Sequence, residues 1–221
     1  MEGRKALITG TSRGLGRVLA RGLAAEGWQL IADARDGEAL RAAVPEGVLI
    51  PGDIQHPGHR EALARAAGDR LDLLVNNAGT LGAAPLPALA GYPLPALRDA
   101  FEANVIAPLA LTQLLLPALR ARGGAVLNIT SDAAVEPYAG WGGYGATKAA
   151  LEQASAVLAA EEPTIRVWWV DPGDLRTDMH QAAFPGEDIS DRPLPESVVP
   201  GFVKLVTQRL PSGRYRIGEL L

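Results

Sequence analysis

The chain has 221 residues, a length that one α/β domain commonly reaches, and 48% of them are hydrophobic, enough for a large core. It contains no cysteine, which excludes disulfides, thiolate nucleophiles and cysteine-based zinc sites. The formal net charge of −4 provides no basic surface for phosphates, so nucleic acid is not expected as a partner. We therefore expect one domain over residues 1–221.

Neither a signal peptide nor a membrane-spanning helix is expected. The segment Met1–Lys5 leads directly into a strand-like stretch, without the apolar run and small-residue cleavage site of a leader. No apolar stretch is expected to reach the roughly 20 residues that a membrane helix requires. These features favour a cytoplasmic protein with no membrane partner.

Short apolar runs alternate with longer stretches of helical periodicity, a pattern typical of repeated βαβ units. The predicted strands are Lys5–Thr9, Gln29–Ala32, Val48–Pro51, Leu71–Asn76, Ala125–Ile129, Ile165–Asp171 and, near the end, Arg214–Ile217. Between the first two, apolar residues from Leu15 to Leu23 recur at helical spacing and predict a helix that packs on the sheet. The pattern predicts an α/β domain of Rossmann type, with a doubly wound, mostly parallel sheet and helices on both faces.

Two longer helical stretches are predicted further along the chain, near Leu94–Ala121 and Tyr144–Glu161. Pro108 is expected to kink the first of them. The proline-rich segments Pro85–Pro95 and Pro185–Pro200 interrupt the periodicity. They are expected to be loops, either over a pocket or as simple surface connections.

A glycine-rich turn joins the first predicted strand to the first helix, with the sequence Thr9-Gly10-Thr11-Ser12-Arg13-Gly14-Leu15-Gly16. Backbone N–H groups in such a turn, together with the helix dipole, are suited to a pyrophosphate. The spacing is Gly-x-x-x-Gly-x-Gly and not the commoner Gly-x-Gly-x-x-Gly. The turn therefore indicates a dinucleotide site without proving one.

Three other interpretations of this turn compete with the dinucleotide site. The turn could serve strand–helix packing alone. A nucleotide-hydrolase P-loop is excluded because Arg17 follows Gly16 where that motif needs lysine. An esterase elbow at Gly10–Gly14, with Asp171 and His180 as partners, is disfavoured because only about nine residues precede it, too few for the strand and oxyanion loop that come before such an elbow.

The residues after the second predicted strand bear on the choice between NAD and NADP. Arg35, just beyond that strand, and Arg13, from the glycine turn, offer two guanidinium groups suited to a 2′-phosphate, which favours NADP(H). A strand end displaced by one residue would instead turn the Asp33 carboxylate toward the ribose, so NAD(H) stays possible. Asp53 and Ile54, past the third strand, are expected beside the adenine or in a simple turn.

Tyr144 and Lys148 lie one turn apart on the same face of a predicted helix. A nearby ammonium group favours the phenolate, so Lys148 is expected to bring the tyrosine pKa, ordinarily about 10, toward working pH. A tyrosine tuned in this way can give or take a carbonyl proton. Taken alone, the pair fits equally well an ordinary helix face with a buried tyrosine and a snorkelling lysine.

In their order along the chain, these motifs resemble the short-chain dehydrogenase/reductase family. The matching pieces are Thr9-Gly10-x-x-x-Gly14-x-Gly16, Asn76-Asn77-Ala78-Gly79, Asn104, Ser131, Tyr144-x-x-x-Lys148, and Pro172-Gly173 followed by Thr177. The resemblance implies a catalytic tetrad of Asn104, Ser131, Tyr144 and Lys148. It implies that Ser131 hydrogen-bonds the substrate oxygen and that Tyr144 transfers the proton. It further implies that Lys148 holds the nicotinamide ribose and that Asn104 seats a water that relays protons.

The resemblance also implies contacts to the cofactor and between subunits. Cofactor contacts are expected from Gly10, Thr11, Ser12, Arg13, Gly14, Leu15, Gly16, Arg35, Asp53, Ile54, Asn77, Ala78, Gly79, Tyr144, Lys148, Pro172, Gly173 and Thr177. Among these, Thr177 is expected at the nicotinamide amide. Family members commonly pair through two long helices, which implies a homodimer or homotetramer here.

The sequence thus predicts an NADP(H)-dependent oxidoreductase that interconverts a carbonyl and an alcohol, with Tyr144 as the general acid or base. The alternative is a non-catalytic NADP(H)-binding sensor or interaction protein of the same fold. No metal is expected, because His56 and His59 are interpreted as loop residues without a third ligand. His180 and Trp141 either line the substrate pocket or have no functional contact, and the substrate itself is left open.

Overall fold

A parallel sheet forms the centre of the computed structural model, which describes residues 3–44 and 46–221. Its strands are β1 Lys5–Ile8, β2 Gln29–Ala34, β3 Val48–Pro51, β4 Leu73–Asn76, β5 Ala125–Ile129, β6 Arg166–Asp171 and β7 Gly213–Arg216. They form a 7-stranded sheet in the order β3-β2-β1-β4-β5-β6-β7. The order reverses between β1 and β4, and ligands of such sheets bind at the carboxyl ends of the strands near this switch point.

Helices cover both faces of the sheet. Among the described residues they are α1 Gly14–Ala25, α2 Gly37–Ala43, α3 Pro57–Ala67, α4 Leu94–Phe101, α5 Ala107–Arg122, α6 Gly142–Glu161, α7 Asp178–Ala183 and α8 Val199–Thr207. Helices α1 and α8 pack on one face, and α3, α5 and α6 pack on the other. This is the doubly wound α/β architecture that the alternation of apolar runs predicts.

The core has two layers because successive strand residues point to opposite faces of the sheet. Ile8 and Val75 pack with α1 and α8, whereas Leu7 and Leu74 pack with α3 and α5. Since Leu7, Ile8 and Leu74 are fully buried, each contributes about 1.5–3 kcal/mol through the hydrophobic effect. Burial on both faces explains why these strands read as continuous apolar runs.

The second strand extends beyond its predicted end. Asp33 and Ala34 continue the parallel pairing with Ile50 and Pro51 of β3, so β2 ends at Ala34 and not at Ala32. The polar aspartate interrupts the apolar run, which made the strand look shorter in the sequence. As a result Asp33 lies inside a buried strand, and Arg35 is the first residue after it.

The prediction that His59 lies in a loop is wrong. Pro57 occupies the first position of α3, where its missing N–H costs nothing, and His59 therefore falls in the first turn of a helix. Arg60, Leu63 and Ala67 form the buried face of that helix. Only His56, the residue that precedes the helix, lies outside it.

The long predicted helix near Leu94–Ala121 is divided by a π-helical turn, Glu102–Ile106, between α4 and α5. Pro108 has no N–H to donate to the carbonyl of Asn104, four residues earlier, and the chain winds more widely just there. The irregularity thus lies before Pro108, and it includes one of the predicted tetrad residues.

From the sequence we expect no stretch that is long and apolar enough for a membrane helix. By length and composition alone, that prediction is wrong. The stretch Leu94–Arg122 has 29 residues and passes such a test by length and composition. Half of its most apolar window is buried inside the molecule, where α5 packs against α3. Core helices of globular proteins pass the same test, so this finding is weak evidence for a membrane.

Candidate active site

One cleft of about 1270 Å³ lies across the carboxyl ends of the strands, at the switch point of the sheet. The glycine turn and Arg35 line one half of it, and Ser131, Tyr144 and Lys148 line the other. Segments that are distant in the sequence are therefore brought to a single elongated site, large enough for a dinucleotide together with a small substrate.

The glycine turn has the backbone that its sequence requires. Gly10 and Gly14 have φ angles of +72° and +54°, a left-handed conformation that favours glycine. A Cβ on Gly16 would lie 2.3 Å from the Gly10 carbonyl oxygen, so only glycine lets α1 begin this close to the turn. No side chain caps α1, and its first turn contains no acidic residue. The N–H groups at the start of α1 are thus suited to a phosphate, and the turn fits a dinucleotide pyrophosphate.

Thr11 does not belong to the cleft, contrary to prediction. Its backbone N–H and its hydroxyl both donate to the Asp33 carbonyl oxygen, at 2.9 Å and 3.0 Å, and the residue is fully buried. Thr11 therefore ties the turn to β2. The other predicted residues of the turn line the cleft: Gly10, Ser12, Arg13, Gly14, Leu15 and Gly16.

The residues predicted at the adenosine end all line the cleft, but Arg13 is also paired with an acidic residue. Arg35 is exposed and lines the cleft. The Arg13 side chain is 67% exposed, and its Nη1 lies 3.3 Å from Asp178 Oδ2 at the start of α7. Asp53 and Ile54 line the cleft, and the Asp53 carboxylate also accepts the Gln55 N–H at 2.9 Å, so the two residues lie in a turn that borders the cleft.

Asp33, the alternative recognition residue for the ribose, is turned into the protein. It is 2% exposed, and its Oδ1 accepts the Gly10 N–H at 2.7 Å. Its Oδ2 lies 2.9 Å from His59 Nε2. Both carboxylate oxygens thus have protein partners, and the residue also borders the cleft.

Ser131, Tyr144 and Lys148 lie together at the other end of the cleft. Ser131 comes directly after Thr130 at the end of β5, while Tyr144 and Lys148 lie in the first two turns of α6. Lys148 Nζ donates to the Ile129 carbonyl oxygen at 2.8 Å and lies 5.5 Å from the centre of the Tyr144 ring. Thr130 also lines the cleft, and its hydroxyl donates to the Glu152 carboxylate at 2.8 Å.

Burial dominates the ionisation of Tyr144 and Lys148. It raises the pKa of Tyr144 well above its ordinary value, with further upward contributions from the charges of Asp171 and Asp132 and an opposing hydrogen bond with Ser131. Burial also lowers the pKa of Lys148 to about 8. The expected lowering of the tyrosine pKa by Lys148 is absent, since the ammonium lies over the ring and bonds a carbonyl. Tyr144 therefore carries its proton at neutral pH.

Asn104 lies behind the cleft, in the π-helical turn. Its Nδ2 donates to the Thr80 carbonyl oxygen at 2.8 Å and to Thr147 Oγ1 at 2.9 Å, and its Oδ1 accepts the Thr80 N–H at 2.8 Å. The side chain thus fixes the loop after β4 against α6. Thr147 went unrecognised in the sequence because its role depends on this contact with a residue 43 positions away.

The segment Asn76–Gly79 at the end of β4 holds neighbouring elements together and lines the cleft. Asn76 Nδ2 donates to Asn128 Oδ1 at 2.8 Å and joins β4 to β5. Asn77 Nδ2 donates to the carbonyl oxygens of Thr9 and Gly10, at 2.8 Å and 3.1 Å, and so holds the glycine turn. The lining residues of this segment are Asn77, Ala78 and Gly79.

The loop after β6 closes the cleft from the side of α7. Pro172, Gly173 and Thr177 all line it, and Thr177 Oγ1 accepts the His180 N–H at 3.1 Å to cap α7. Asp171 accepts the Gly173 N–H at 2.9 Å. His180 Nδ1 lies 3.9 Å from Asp174 Oδ1, so Asp171 and His180 do not form the pair that an esterase would need.

Aromatic side chains surround the end of the cleft beside Tyr144. The ring of Trp141 lies 5.7 Å from Tyr144 and 5.9 Å from Phe184, and His180 lies 4.9 Å from Phe184. All of them line the cleft, so His180 and Trp141 are both lining residues of the substrate end. Of the two proline-rich segments, only Pro185–Pro200 lines the cleft, through Leu194, Pro195 and Glu196, whereas Pro85–Pro95 contributes none of its lining residues.

Asp132 is a site residue that the sequence did not single out. It accepts hydrogen bonds from the Ser131 hydroxyl and from the Tyr138 hydroxyl, each at 3.0 Å. The available signal was its position next to Ser131 after a buried strand. Its second contact depends on a loop residue without any periodic pattern.

Comparison with known proteins agrees with this geometry. Residues 4–188 match the family described as short chain dehydrogenase. The 3-oxoacyl-(acyl-carrier-protein) reductase of rhamnolipids biosynthesis from Pseudomonas aeruginosa is 38% identical over 180 residues, 73% of this chain and 68% of the relative. Sepiapterin reductase from Bos taurus is 37% identical over 199 residues, 80% of this chain and 74% of the relative.

Solved structures show the same relationship. A short chain dehydrogenase from Shigella flexneri complexed with NADP is 30% identical, with a TM-score of 0.91 over 97% of each chain. The family match and these relatives confirm the resemblance that the motifs indicate and the α/β fold that the periodicity predicts. The chain belongs to the short chain dehydrogenase family.

Proposed function

We propose that this chain is an NADP(H)-dependent reductase of carbonyl compounds, with Tyr144 as the proton donor. Its relatives are named reductases and dehydrogenases, which shows that it is an oxidoreductase. The observation that carries the finer proposal is the position of the protonated Tyr144 hydroxyl beside Ser131 and Lys148 in the cleft. A protonated tyrosine is the acid that carbonyl reduction needs.

In this reaction the residues of the chain act on the carbonyl oxygen. When bound, NADPH would supply the hydride for the carbonyl carbon. Tyr144 donates its proton to the oxygen as the alcohol forms, and Ser131 donates a hydrogen bond to the same oxygen. Lys148 must leave the Ile129 carbonyl oxygen for its ammonium to stabilise the phenolate that is left on Tyr144. Asp132, which accepts from the Ser131 hydroxyl, must release it for this contact.

The preference for NADP(H) rests on the exposed guanidinium groups at the adenosine end. Arg35 lines the cleft directly after β2, and Arg13, which lines it from the glycine turn, must leave Asp178 to reach a 2′-phosphate. The inward position of Asp33 also removes the carboxylate that would repel a 2′-phosphate. The relative from Shigella flexneri that was crystallised with NADP agrees with this assignment.

Titration of tryptophan fluorescence with NADPH and with NADH tests the cofactor proposal, because Trp141 lines the cleft. An Arg13→Ala, Arg35→Ala variant should bind NADPH at least tenfold more weakly and NADH unchanged, since only NADPH has the phosphate. Arg65→Ala, an exposed arginine of α3 paired with Glu61, is the control. Equal affinity of the wild type for both cofactors would contradict the preference, and binding of neither would contradict the dinucleotide site.

Turnover of a panel of ketones and aldehydes tests the chemistry. Tyr144→Phe should lower kcat by about 10²–10⁴-fold with little change in NADPH binding, because the proton donor is lost while the ring remains. A wild type that binds NADPH but reduces no substrate would instead support a non-catalytic NADP(H)-binding protein. Turnover that survives Tyr144→Phe would exclude Tyr144 as the acid.

We also propose that the protein forms a homodimer or homotetramer through α5 and α6. Both helices carry large apolar side chains that are exposed in the single chain, among them Leu109 and Leu114 of α5 and Val157 of α6. Burial of such side chains against a second copy is a common basis of homo-oligomers.

A further inference from the structure

A buried acid–histidine pair lies beneath the glycine turn, outside the catalytic machinery. Asp33 is 2% exposed, and the His59 side chain is 8% exposed. The Asp33 Oδ2 and His59 Nε2 atoms are 2.9 Å apart, and the other carboxylate oxygen accepts the Gly10 N–H at 2.7 Å. Proton transfer to a substrate uses neither residue.

A carboxylate this deeply buried is costly unless hydrogen bonds satisfy it. His59 Nε2–H provides one of those bonds, whichever protonation state Nδ1 has. The ring approaches Gly52 so closely that a Cβ there would lie 2.3 Å from His59 Nδ1. The position of the imidazole is therefore fixed from both sides, by the carboxylate and by the backbone after β3.

Asp33 in turn holds the start of the glycine turn at two successive residues. Its carboxylate accepts from the Gly10 N–H, and its carbonyl oxygen accepts from both the N–H and the hydroxyl of Thr11. Directly after these residues come the N–H groups that face the cleft at the start of α1. A shift of Gly10 would move that whole phosphate cradle.

We propose that His59 is a positioning residue for the dinucleotide, acting through Asp33 to fix the glycine turn under the pyrophosphate. The inference rests on the proposed function only in taking a nicotinamide dinucleotide as the ligand. The pyrophosphate is common to NADPH and NADH. Loss of the His59–Asp33 contact therefore lowers the affinities for NADPH and NADH by the same factor. Loss of Arg13 and Arg35 lowers the affinity for NADPH alone.

The test compares the dissociation constants of NADPH and NADH, and the KM for NADPH against kcat, in a set of His59 variants. His59→Ala should raise the dissociation constants of both cofactors about tenfold, which is the effect of one lost hydrogen bond to a charged group. Its kcat at saturating NADPH should stay within about twofold of the wild-type value. His59→Gln places an amide N–H near the position of Nε2 and should restore binding. The side chain of His59→Asn is too short to reach Asp33, so this variant should not restore binding. It replaces His59→Ala in the comparison if His59→Ala does not fold.

Asp33→Asn tests the second half of the pair. An asparagine can accept the Gly10 N–H and donate to His59 Nε2 when the ring proton is on Nδ1. The variant should therefore bind both cofactors nearly as well as the wild type. Asp33→Ala should lose affinity as His59→Ala does. The two losses should not add, because both changes break one connected unit.

The control is a charged pair at the opposite, amino ends of the strands. The Asp72 carboxylate accepts the Lys5 N–H at 2.9 Å and bonds Arg122 Nε at 3.0 Å. Arg122→Ala should leave the affinities for both cofactors unchanged.

The inference is overturned if His59→Ala binds both cofactors like the wild type, if its effect is confined to NADPH, or if Arg122→Ala weakens binding equally. Each of these outcomes leaves the proposed reductase intact. Failure of the wild type to bind either cofactor would instead count against the reductase.

Discussion

Burial favours the uncharged forms of Tyr144 and Lys148, which lie side by side near the end of β5. For Tyr144 this keeps the proton in place at neutral pH, and for Lys148 it brings the pKa to about 8. The two shifts have opposite consequences for carbonyl reduction. The tyrosine remains an acid, whereas the lysine loses its charge in mildly alkaline solution.

The rate of reduction should therefore depend on the charge of Lys148. Its ammonium form is present below a pKa of about 8 and is lost above it, so kcat should fall as the pH rises through that value. A pH profile of kcat from about pH 6 to about pH 10 at saturating NADPH measures this. Lys148→Arg, whose guanidinium stays charged, should be less active overall but should lack the alkaline decline. A wild-type rate that is constant across this range would contradict the assignment.

At the residue scale, the sequence predicted which side chains form the candidate site but not the environment that sets their pKa values. Tyr144 and Lys148 are recognisable because their spacing is local to one helix. The pKa of Tyr144 depends on Asp171, which arrives from β6, and on burial by the whole fold. The interpretation that Lys148 tunes Tyr144 used only the local pair and omitted desolvation, which dominates here.

Among the elements, the start of α1 is constrained by close packing around Gly16. Gly16 faces the Gly10 carbonyl oxygen and the Asn77 side chain, and a Cβ would lie 2.3 Å and 2.4 Å from them. Any side chain at this position must push α1 away from the turn. The same displacement would open the phosphate site.

Gly16→Ala should lower the free energy of unfolding by about 1–3 kcal/mol and abolish cofactor binding at concentrations that saturate the wild type. Denaturant unfolding and the fluorescence titration measure the two effects. Gly58→Ala is the matched control, because it also lies in a first helical turn but has open space around its Cβ position. It should be neutral or stabilising by up to about 1 kcal/mol. Normal cofactor binding by Gly16→Ala would show that the turn tolerates the displacement.

Element boundaries differed from prediction where a polar residue lies inside a strand or where a helix is short. The run Gln29–Ala32 was extended by Asp33 and Ala34 because main-chain pairing with β3 continues through them. Helix α3 escaped notice because Pro57 and Gly58 suggest a loop when read alone. Such boundaries are decided by hydrogen bonds to distant segments, which local periodicity does not contain.

At the scale of the molecule, the exposed apolar residues of α5 and α6 bear on assembly. Light scattering after size exclusion should give a dimer or tetramer for the wild type. Leu114→Lys, which places a charge on the exposed face of α5, should shift the mass toward the monomer, because burying an unpaired charge is costly. A wild type with the mass of a single chain would contradict the proposed oligomer.

The sequence by itself determined the doubly wound fold, the glycine turn after the first strand and the order of the family's motifs. These features depend on alternating hydrophobicity and on glycine turns, which are local signals. Tertiary structure alone decided that the Asp33 carboxylate contacts Gly10 and His59. It also decided that Thr11 lies outside the cleft and that Asn104 hydrogen-bonds Thr80 in the loop after β4. The physical reason is that buried polar groups take whichever partners the packed fold brings within hydrogen-bonding distance, and those partners lie far away in the chain.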